Sequence, residues 1–169
     1  MVFCDLIQMN KSEEIEKFAK SLGFGNVLFR EDIVKLNIIH GKDDLYNRLM
    51  IEKGIDILLN PHTYELKDNL HFRRGGLNQV SCKLAAKKDV VILFTLDSLR
   101  DHLFIGRAMQ DIKMCRKYCV KVMLCTYAKS KYELKSLNDL FSFCKILGMD
   151  GKQVKNAFVY PEKIIKKCL

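Results

Sequence analysis

The run His71-Phe72-Arg73-Arg74-Gly75-Gly76 sets two guanidiniums against a glycine pair, immediately ahead of an amphipathic segment. Cations beside the unpaired N–H groups of a helix start are the chemistry of phosphate binding. A glycine pair is equally the ordinary turn that feeds a helix, so the motif alone does not decide. No GKS or GKT occurs, and no GxGxxG follows an apolar run. A mononucleotide enzyme or a dinucleotide-binding dehydrogenase therefore has little support.

A metal phosphoesterase needs several His, Asp or Glu side chains at strand ends. Asp5, His40, His62 and Asp97 fall at or near predicted strands, yet the sequence holds no HxH or DxH pair. His62 and His71 read as loop or packing residues, and no Ser or Cys stands in the context of an activated nucleophile. The seven cysteines (4, 82, 115, 119, 125, 144, 168) form no CxxC, and the four histidines do not complete a zinc pattern. They are expected to be buried free thiols of a reducing compartment, here the cytoplasm.

Charge is uneven along the 169 residues, which carry a net charge of +9. Residues 1–70 hold 9 basic and 12 acidic side chains; residues 71–169 hold 20 basic and 8 acidic, a net of +12. Such asymmetry suits a surface that meets a polyanion, because each cation at a phosphate releases condensed counterions. The plainer alternative is a solvated basic face. Apolar residues at 49% and charged residues at 29% mark an ordinary globular composition, sized for one domain. No apolar run approaches the roughly 20 residues of a membrane span, and the opening Met1–Ile7 stretch, with Asp5 inside it, is not expected to be a signal peptide.

The elements that position these residues alternate short apolar runs with amphipathic segments. Strands are predicted at Phe3–Gln8, Val27–Phe29, Val34–His40, Ile55–Leu59, Val90–Thr95, Val120–Cys125 and Phe158–Pro161. Between them, a helix capped by Asn10 or Ser12 carries Ile15, Phe18, Ala19 and Leu22. One capped by Asp43 carries Leu45, Leu49 and Met50 and closes at Gly54. One after Gly76 turns Leu77, Val80, Leu84 and Ala85 inward. A long helix has a stripe of Ile105, Met109, Ile112, Cys115 and Cys119, with Gln110, Lys113 and Lys117 on another face and Arg107 and Arg116 nearby. Ser136 and Asp139 form a capping box for the next, a helical turn is predicted at 151–156, and a last helix ends in Lys166-Lys167. Residues 60–76 read as irregular. Seven such runs imply βαβ units and a parallel sheet, either open and doubly wound or closed as a compact barrel.

Four stretches carry a resemblance: Gly54-Ile55-Asp56-Ile57-Leu58-Leu59-Asn60-Pro61; Gly76-Leu77-Asn78-Gln79-Val80 running through Lys83-Leu84-Ala85; Cys115-Arg116-Lys117-Tyr118-Cys119-Val120; and Ala128 to Ser136 with Asp139-Leu140 and Leu147-Gly148-Met149. In order and spacing they resemble the archaeal-type protein component 3 of ribonuclease P, related to the thirty-kilodalton subunit of the eukaryotic enzyme. The resemblance runs from near residue 3 to about 165. It implies one TIM-barrel-like α/β domain over 1–169, of about seven mostly parallel strands, without the metal ligands of the related phosphoesterase barrels. The chain departs from the family by being short, trimmed between the second and third strands, with one barrel strand missing or irregular.

The resemblance further implies a subunit of the ribonucleoprotein that removes the 5′ leader from precursor tRNA. The RNA with Mg²⁺ is expected to do the chemistry, with no catalytic residue and no metal in this chain. Expected partners are the catalytic RNA, a second small protein subunit, other ribonuclease P proteins and precursor tRNA as substrate, with no membrane. Joined to the charge pattern, this nominates Arg73 and Arg74, Lys129 and Lys131 after a strand, and Arg107, Lys113, Arg116 and Lys117 along a helix as RNA contacts. Tyr127 and Tyr132 are expected to pack in the core rather than stack on bases. The alternative is a stand-alone metal-dependent phosphoesterase barrel; a third class, a protein-interaction module, would bind in a salt-resistant way.

Overall fold

The computed structural model describes residues 2–64, 67–68 and 70–168, without the side chains of residues 167 and 168, so the expectation for Cys168 lies outside the described residues. In chain order the elements are β1 (Cys4–Leu6), α1 (Glu13–Ser21), β2 (Asn26–Leu28), α2 (Arg30–Ile33), β3 (Ile38–His40), α3 (Asp44–Lys53), β4 (Ile57–Leu59), α4 (Gln79–Lys88), β5 (Val91–Thr95), α5 (His102–Lys117), β6 (Lys121–Cys125), α6 (Leu137–Ile146), α7 (Gly151–Ala157) and α8 (Tyr160–Cys168). The chain divides into two units: residues 1–36 with 123–169, and residues 37–122.

In the first unit β1 pairs in parallel with β2, Asp5 opposite Val27. Acidic Glu13, Glu14 and Glu16 fill the first turn of α1, where the helix dipole favours negative charge. Leu6, Ile7, Ala19, Phe29, Leu140 and Phe158 form a buried core. Phe141 packs between Phe3 and Phe158, with ring centroids 5.2 and 5.4 Å away.

The second unit holds parallel β3, β4 and β5, with Ile57 opposite both Ile38 and Val91. The sheet order is β3-β4-β5-β6, and the chain leaves the unit within β6. All five residues of β5 are buried, as a strand covered on both faces requires. α3 packs on α4. Asp43 caps α3 by accepting from the Tyr46 amide at 2.8 Å, and Gly54, at φ +79°, closes it in the left-handed conformation.

An α/β fold with parallel strands and surrounding helices is therefore correct, but six strands stand among the described residues, in sheets of two and four. Phe158–Pro161 is not the seventh strand: Phe158 and Val159 form the turn between α7 and α8, and Tyr160 and Pro161 open α8. The stretch mimics a strand because Phe158 is fully buried and its carbonyl accepts the Cys4 amide at 2.7 Å. The strand predicted from Val34 shrinks to Ile38–His40. Asp32 caps the Phe29 amide at 3.2 Å and winds residues 30–33 into a helical turn, which leaves Val34 76% exposed.

The predicted inward faces are partly rotated. On α3 Leu45 and Leu49 are exposed while Asn47 and Ile51 are buried; on α4 Val80 is exposed while Ser81, Cys82 and Ala85 are buried. On α5 the buried stripe is Arg107, Ala108, Asp111, Ile112 and Cys115, and Met109 faces outward. Cys119 is exposed rather than buried, since α5 ends at Lys117 and Cys119 turns away at φ +58°. The other described cysteines (4, 82, 115, 125, 144) are buried and free. No helix among the described residues is long and apolar enough to cross a membrane.

Candidate nucleic-acid interface

In the second unit the segment after β4 is held by side-chain amides. Asn60 adopts φ +47° and accepts through Oδ1 from the Thr95 amide (2.9 Å) and the Ser98 hydroxyl (3.0 Å), while its Nδ2 donates to Thr95 Oγ1 at 2.9 Å. These bonds tie the end of β4 to the end of β5. Asn47 reaches from α3, where Nδ2 donates to the carbonyls of Gly76 (2.9 Å) and Lys42 (2.8 Å) and Oδ1 accepts from the Lys42 amide (2.7 Å). Both amides are buried, and the oxygen and nitrogen of each have hydrogen-bond partners, which offsets the cost of burying them.

The glycine pair earns its place sterically. Gly76 sits at φ +82°, and a Cβ there would stand 2.2 Å from the Pro61 carbonyl oxygen; a Cβ on Gly75 would stand 2.1 Å from Asp111 Oδ1. The segment then enters α4, whose cap is Asn78: its Oδ1 accepts from the Val80 and Ser81 amides at 2.9 Å, and Ser81 Oγ accepts from the Asn78 amide at 2.8 Å. The predicted helix start after Gly76 is thus in place, although its first amides are taken up by the cap.

Arg107 departs from its expected role. It is fully buried, its Nε donating to Asp68 Oδ1 at 2.7 Å and its Nη1 to the His62 carbonyl at 3.0 Å. Asp68 Oδ1 also accepts the Arg74 amide at 2.9 Å. Burial alone would raise the Asp68 carboxyl, but the Arg74 amide and the Arg107 guanidinium hold it below the ordinary value. Arg107 is thus no part of an exposed positive face; it is a strut between α5 and the 60–76 segment. His62 lies beneath, 5.2 and 6.0 Å from the Phe94 and Phe104 rings, and burial lowers its imidazole to about 4. Asp111 is fully buried with no hydrogen bond to either oxygen among the described residues. Burial, the Cys82 thiol and Asp44 push its carboxyl well above the ordinary value, against the pull of Arg107.

Above these braces lies a cavity of about 510 Å³, lined by Lys42, Tyr64, Phe72, the 73–77 backbone, Gln110 and Met114. Arg73, exposed, lays its Nη1 on the Gly106 carbonyl at 3.1 Å; Gly106 leaves the room, since a Cβ there would meet that nitrogen at 2.9 Å. Arg74 is half-buried. On α5, Lys113 and Lys117 are exposed and stand three residues beyond the cavity-lining Gln110 and Met114, so they flank that face; exposed Arg116 stands off it.

Lys129 and Lys131 belong to the first unit. Both are exposed. The Lys129 amide donates to Glu133 at 2.7 Å, and Lys131 Nζ pairs with Glu14 at 3.3 Å. Tyr132 is 82% exposed, with Lys131 Nζ 5.6 Å from its ring centre, so the core position expected for it is overturned; Tyr127 is half-buried at φ +53°. Asp5, once a metal candidate, is fully buried and accepts from the Leu6 and Thr126 amides at 2.9 Å and from the Thr126 hydroxyl. Burial raises it to about 6 despite those donors. His40 and Asp97 are exposed, Asp97 pairing with Arg100 at 2.8 Å, and no group of three or more His, Cys, Asp or Glu residues suited to a metal occurs among the described residues. Sequence reasoning missed Asn47, Asp68 and Asp111, and it passed over Lys42, Tyr64 and Phe72. The only signal was Phe72 itself, an aromatic in a polar run beside two arginines.

No family model matches the chain. Curated archaeal proteins do. Ribonuclease P protein component 3 of Methanosarcina mazei is 31% identical over 137 residues, which cover 77% of this chain and 54% of that protein. The protein of that name from Archaeoglobus fulgidus is 26% identical over 169 residues, covering 96% of this chain and 73% of its own. That of Thermococcus kodakarensis is 29% identical over 136 residues, covering 76% and 59%. The chain spans about half the length of its Methanosarcina relatives. A chain in a cryo-EM structure of archaeal ribonuclease P with mature tRNA superposes with a TM-score of 0.62 at 22% identity, over 99% of this chain and 69% of that one. The sequence matches bear out the resemblance read from the four stretches, and the structural match establishes a shared fold.

Proposed function

We propose that this chain, a relative of archaeal ribonuclease P protein component 3, acts as a protein subunit of ribonuclease P, the RNA-based endoribonuclease that removes the 5′ leader of precursor tRNA. The observation that carries this reading is the similarity, at about 30% identity, to several curated proteins of that one name. The chain supplies no catalytic residue and binds no cofactor; the RNA cleaves with Mg²⁺. Its task is to support the fold of the catalytic RNA in the cytoplasm, together with a second small protein subunit and the other ribonuclease P proteins. A single barrel-like domain over 1–169 belongs to the same reading.

Arg73, Arg74, Lys113 and Lys117 make one phosphate-contacting surface in the second unit. Arg116, Lys129 and Lys131 add contacts elsewhere, and Arg107 acts by position. Contacts of this kind fix register without reading sequence, so recognition rests on RNA shape. The test is cleavage of precursor tRNA by the cognate catalytic RNA and partner proteins at low Mg²⁺, with and without this chain. Cleavage that depends on the chain is the expected result. Full activity without it, from partners shown to be competent, overturns the proposal.

A further inference from the structure

We infer that the cavity over Gly75-Gly76 takes one base splayed out of a single RNA strand, with the adjoining phosphate on Arg73; this rests on the RNA-contact reading above and adds a site to it. The second unit leaves two aromatic rings open to solvent in one concave place: Tyr64 is 52% exposed and Phe72 60%. Neither ring stacks on another ring or on a cation among the described residues. A volume of about 510 Å³ suits a nucleotide-sized ligand, for which sites typically run from about 300 to 1,000 Å³.

The cations at the rim decide the kind of occupant. Lys42 and Arg73 are in no ion pair among the described residues: Lys42 sits 4.7 Å from the Tyr46 ring centre, and Arg73 bonds only a carbonyl. The rim also carries the carboxylates Asp43, engaged as the cap of α3, and Asp44, set in the first turn of that helix at its positive end. An apolar protein side chain would fill the aromatic part of the cavity and leave these cations unanswered. A nucleotide answers both, its base against Phe72 or Tyr64 and its phosphate against Arg73. The contrast with the first unit is direct, for there the exposed Tyr132 already has Lys131 near its ring and that lysine is neutralised by Glu14. An RNA duplex keeps its bases stacked inside, so the ligand is a single strand or a bulged base.

The experiment is a titration of the full chain with a fluorescent uridine pentamer and, separately, with a blunt RNA duplex, each over a series of KCl concentrations. Four variants are compared with the parent: Phe72→Ala, Tyr64→Ala, Phe72→Trp, and Arg73→Ala combined with Arg74→Ala. Because Tyr64 and Phe72 are largely exposed, their replacement leaves the fold intact, checked by an unchanged thermal midpoint. Base stacking contributes little charge, so Phe72→Ala is expected to weaken pentamer binding by about five- to a hundredfold with the salt slope unchanged. Phe72→Trp restores it, and the duplex is indifferent to both. The double arginine variant weakens binding and flattens the slope by about one to two. Pentamer binding that survives both Phe72→Ala and Tyr64→Ala, while the arginine variant flattens the slope, overturns the base site and leaves the phosphate contacts standing. Binding unmoved by any variant, or no binding by the parent chain, overturns both.

Discussion

Each unit buries one carboxyl group completely, and the two are treated in opposite ways. In the first, Asp5 receives three donors and joins β1 to the residue that follows β6. In the second, Asp111 receives none among the described residues and backs onto Gly75, under the wall of the cavity. The difference shows what each polar group does. Asp5 is a joint between strands and holds in place the backbone that leads to Lys129 and Lys131. In the second unit that bracing falls to Asn47, Asn60 and the Asp68–Arg107 pair, which hold the described residues of the 60–76 segment, among which a short turn at Pro61–Thr63 is the only helical piece. Asp111 takes no part in it.

The largest effect is expected where bracing depends on one side chain. Arg107→Met removes the guanidinium that links Asp68 and the His62 carbonyl to α5, and it leaves a carboxylate turned toward a buried apolar site. Loss of one partner from such a pair costs about 3 kcal/mol, at the low end of the range because Asp68 keeps some exposure. Urea unfolding measures it. Arg107→Lys, which keeps the charge but not the two-armed geometry, is expected to recover less than half. A variant as stable as the parent would mean that the 60–76 segment is held by its asparagines alone.

The next effect separates the two units by pH. Asp5 stands near 6 in the folded chain against an ordinary value of 3.8, so the folded form binds its proton more tightly. Its contribution is fully present below pH 3.8 and is lost as pH rises through 6, an effect on the order of 3 kcal/mol. His62 runs the other way. Its folded value of about 4 lies below the ordinary 6.5, so stability falls as pH drops from 6.5 toward 4. The two windows overlap, so the opposed slopes cancel and unfolding midpoints should stay nearly level from about pH 4 to 6. Removing one group uncovers the other: Asp5→Asn, though destabilising because its amide NH₂ faces backbone donors, should leave stability rising with pH across that window, and His62→Gln should leave it falling. A profile in Asp5→Asn with the same slope as the parent would show that Asp5 does not titrate there.

How far this comparison was legible in the sequence follows from the range of each interaction. Caps and stops are local, so Asp43, Ser136 and Gly54 mark helix ends that the structure reproduces. The covered strand Val91–Thr95 was legible because it lacks alternation. Arg107 looked like one more cation on a basic helix, since its partner Asp68 lies 39 residues earlier in a segment with no periodicity. Leu45 and Leu49 looked like the core face of α3 because a leucine pair outweighs an asparagine on any hydropathy scale. Asn47 is the buried residue there because three backbone groups complete its bonding, the Lys42 amide and carbonyl nearby and the Gly76 carbonyl 29 residues away. The arginine pair Arg73-Arg74 stood out in the sequence by type and spacing; the cavity beside it did not, because Lys42, Tyr64, Phe72 and Met114 meet only in the fold.

The smallest expected effect sharpens the contrast most. Asp111 has its carboxyl pushed well above the ordinary value by burial, which favours the uncharged acid. Asparagine is nearly its isostere in that state. Asp111→Asn should therefore change stability at pH 7 by no more than about 0.5 kcal/mol, the range of a substitution that breaks no partnered contact, whereas Asp5→Asn costs about 2 kcal/mol by opposing a donor to a donor. The carbonyl stretch of the acid form in an isotope-edited infrared spectrum supplies an independent check: a protonated band at pH 7 in the parent should vanish in Asp111→Asn. Should Asp111→Asn prove as costly as Asp5→Asn, the carboxyl would be ionised and braced by the nearby Arg107 charge. The two units would then bury their acids by the same device, and the contrast between joint and bystander would collapse.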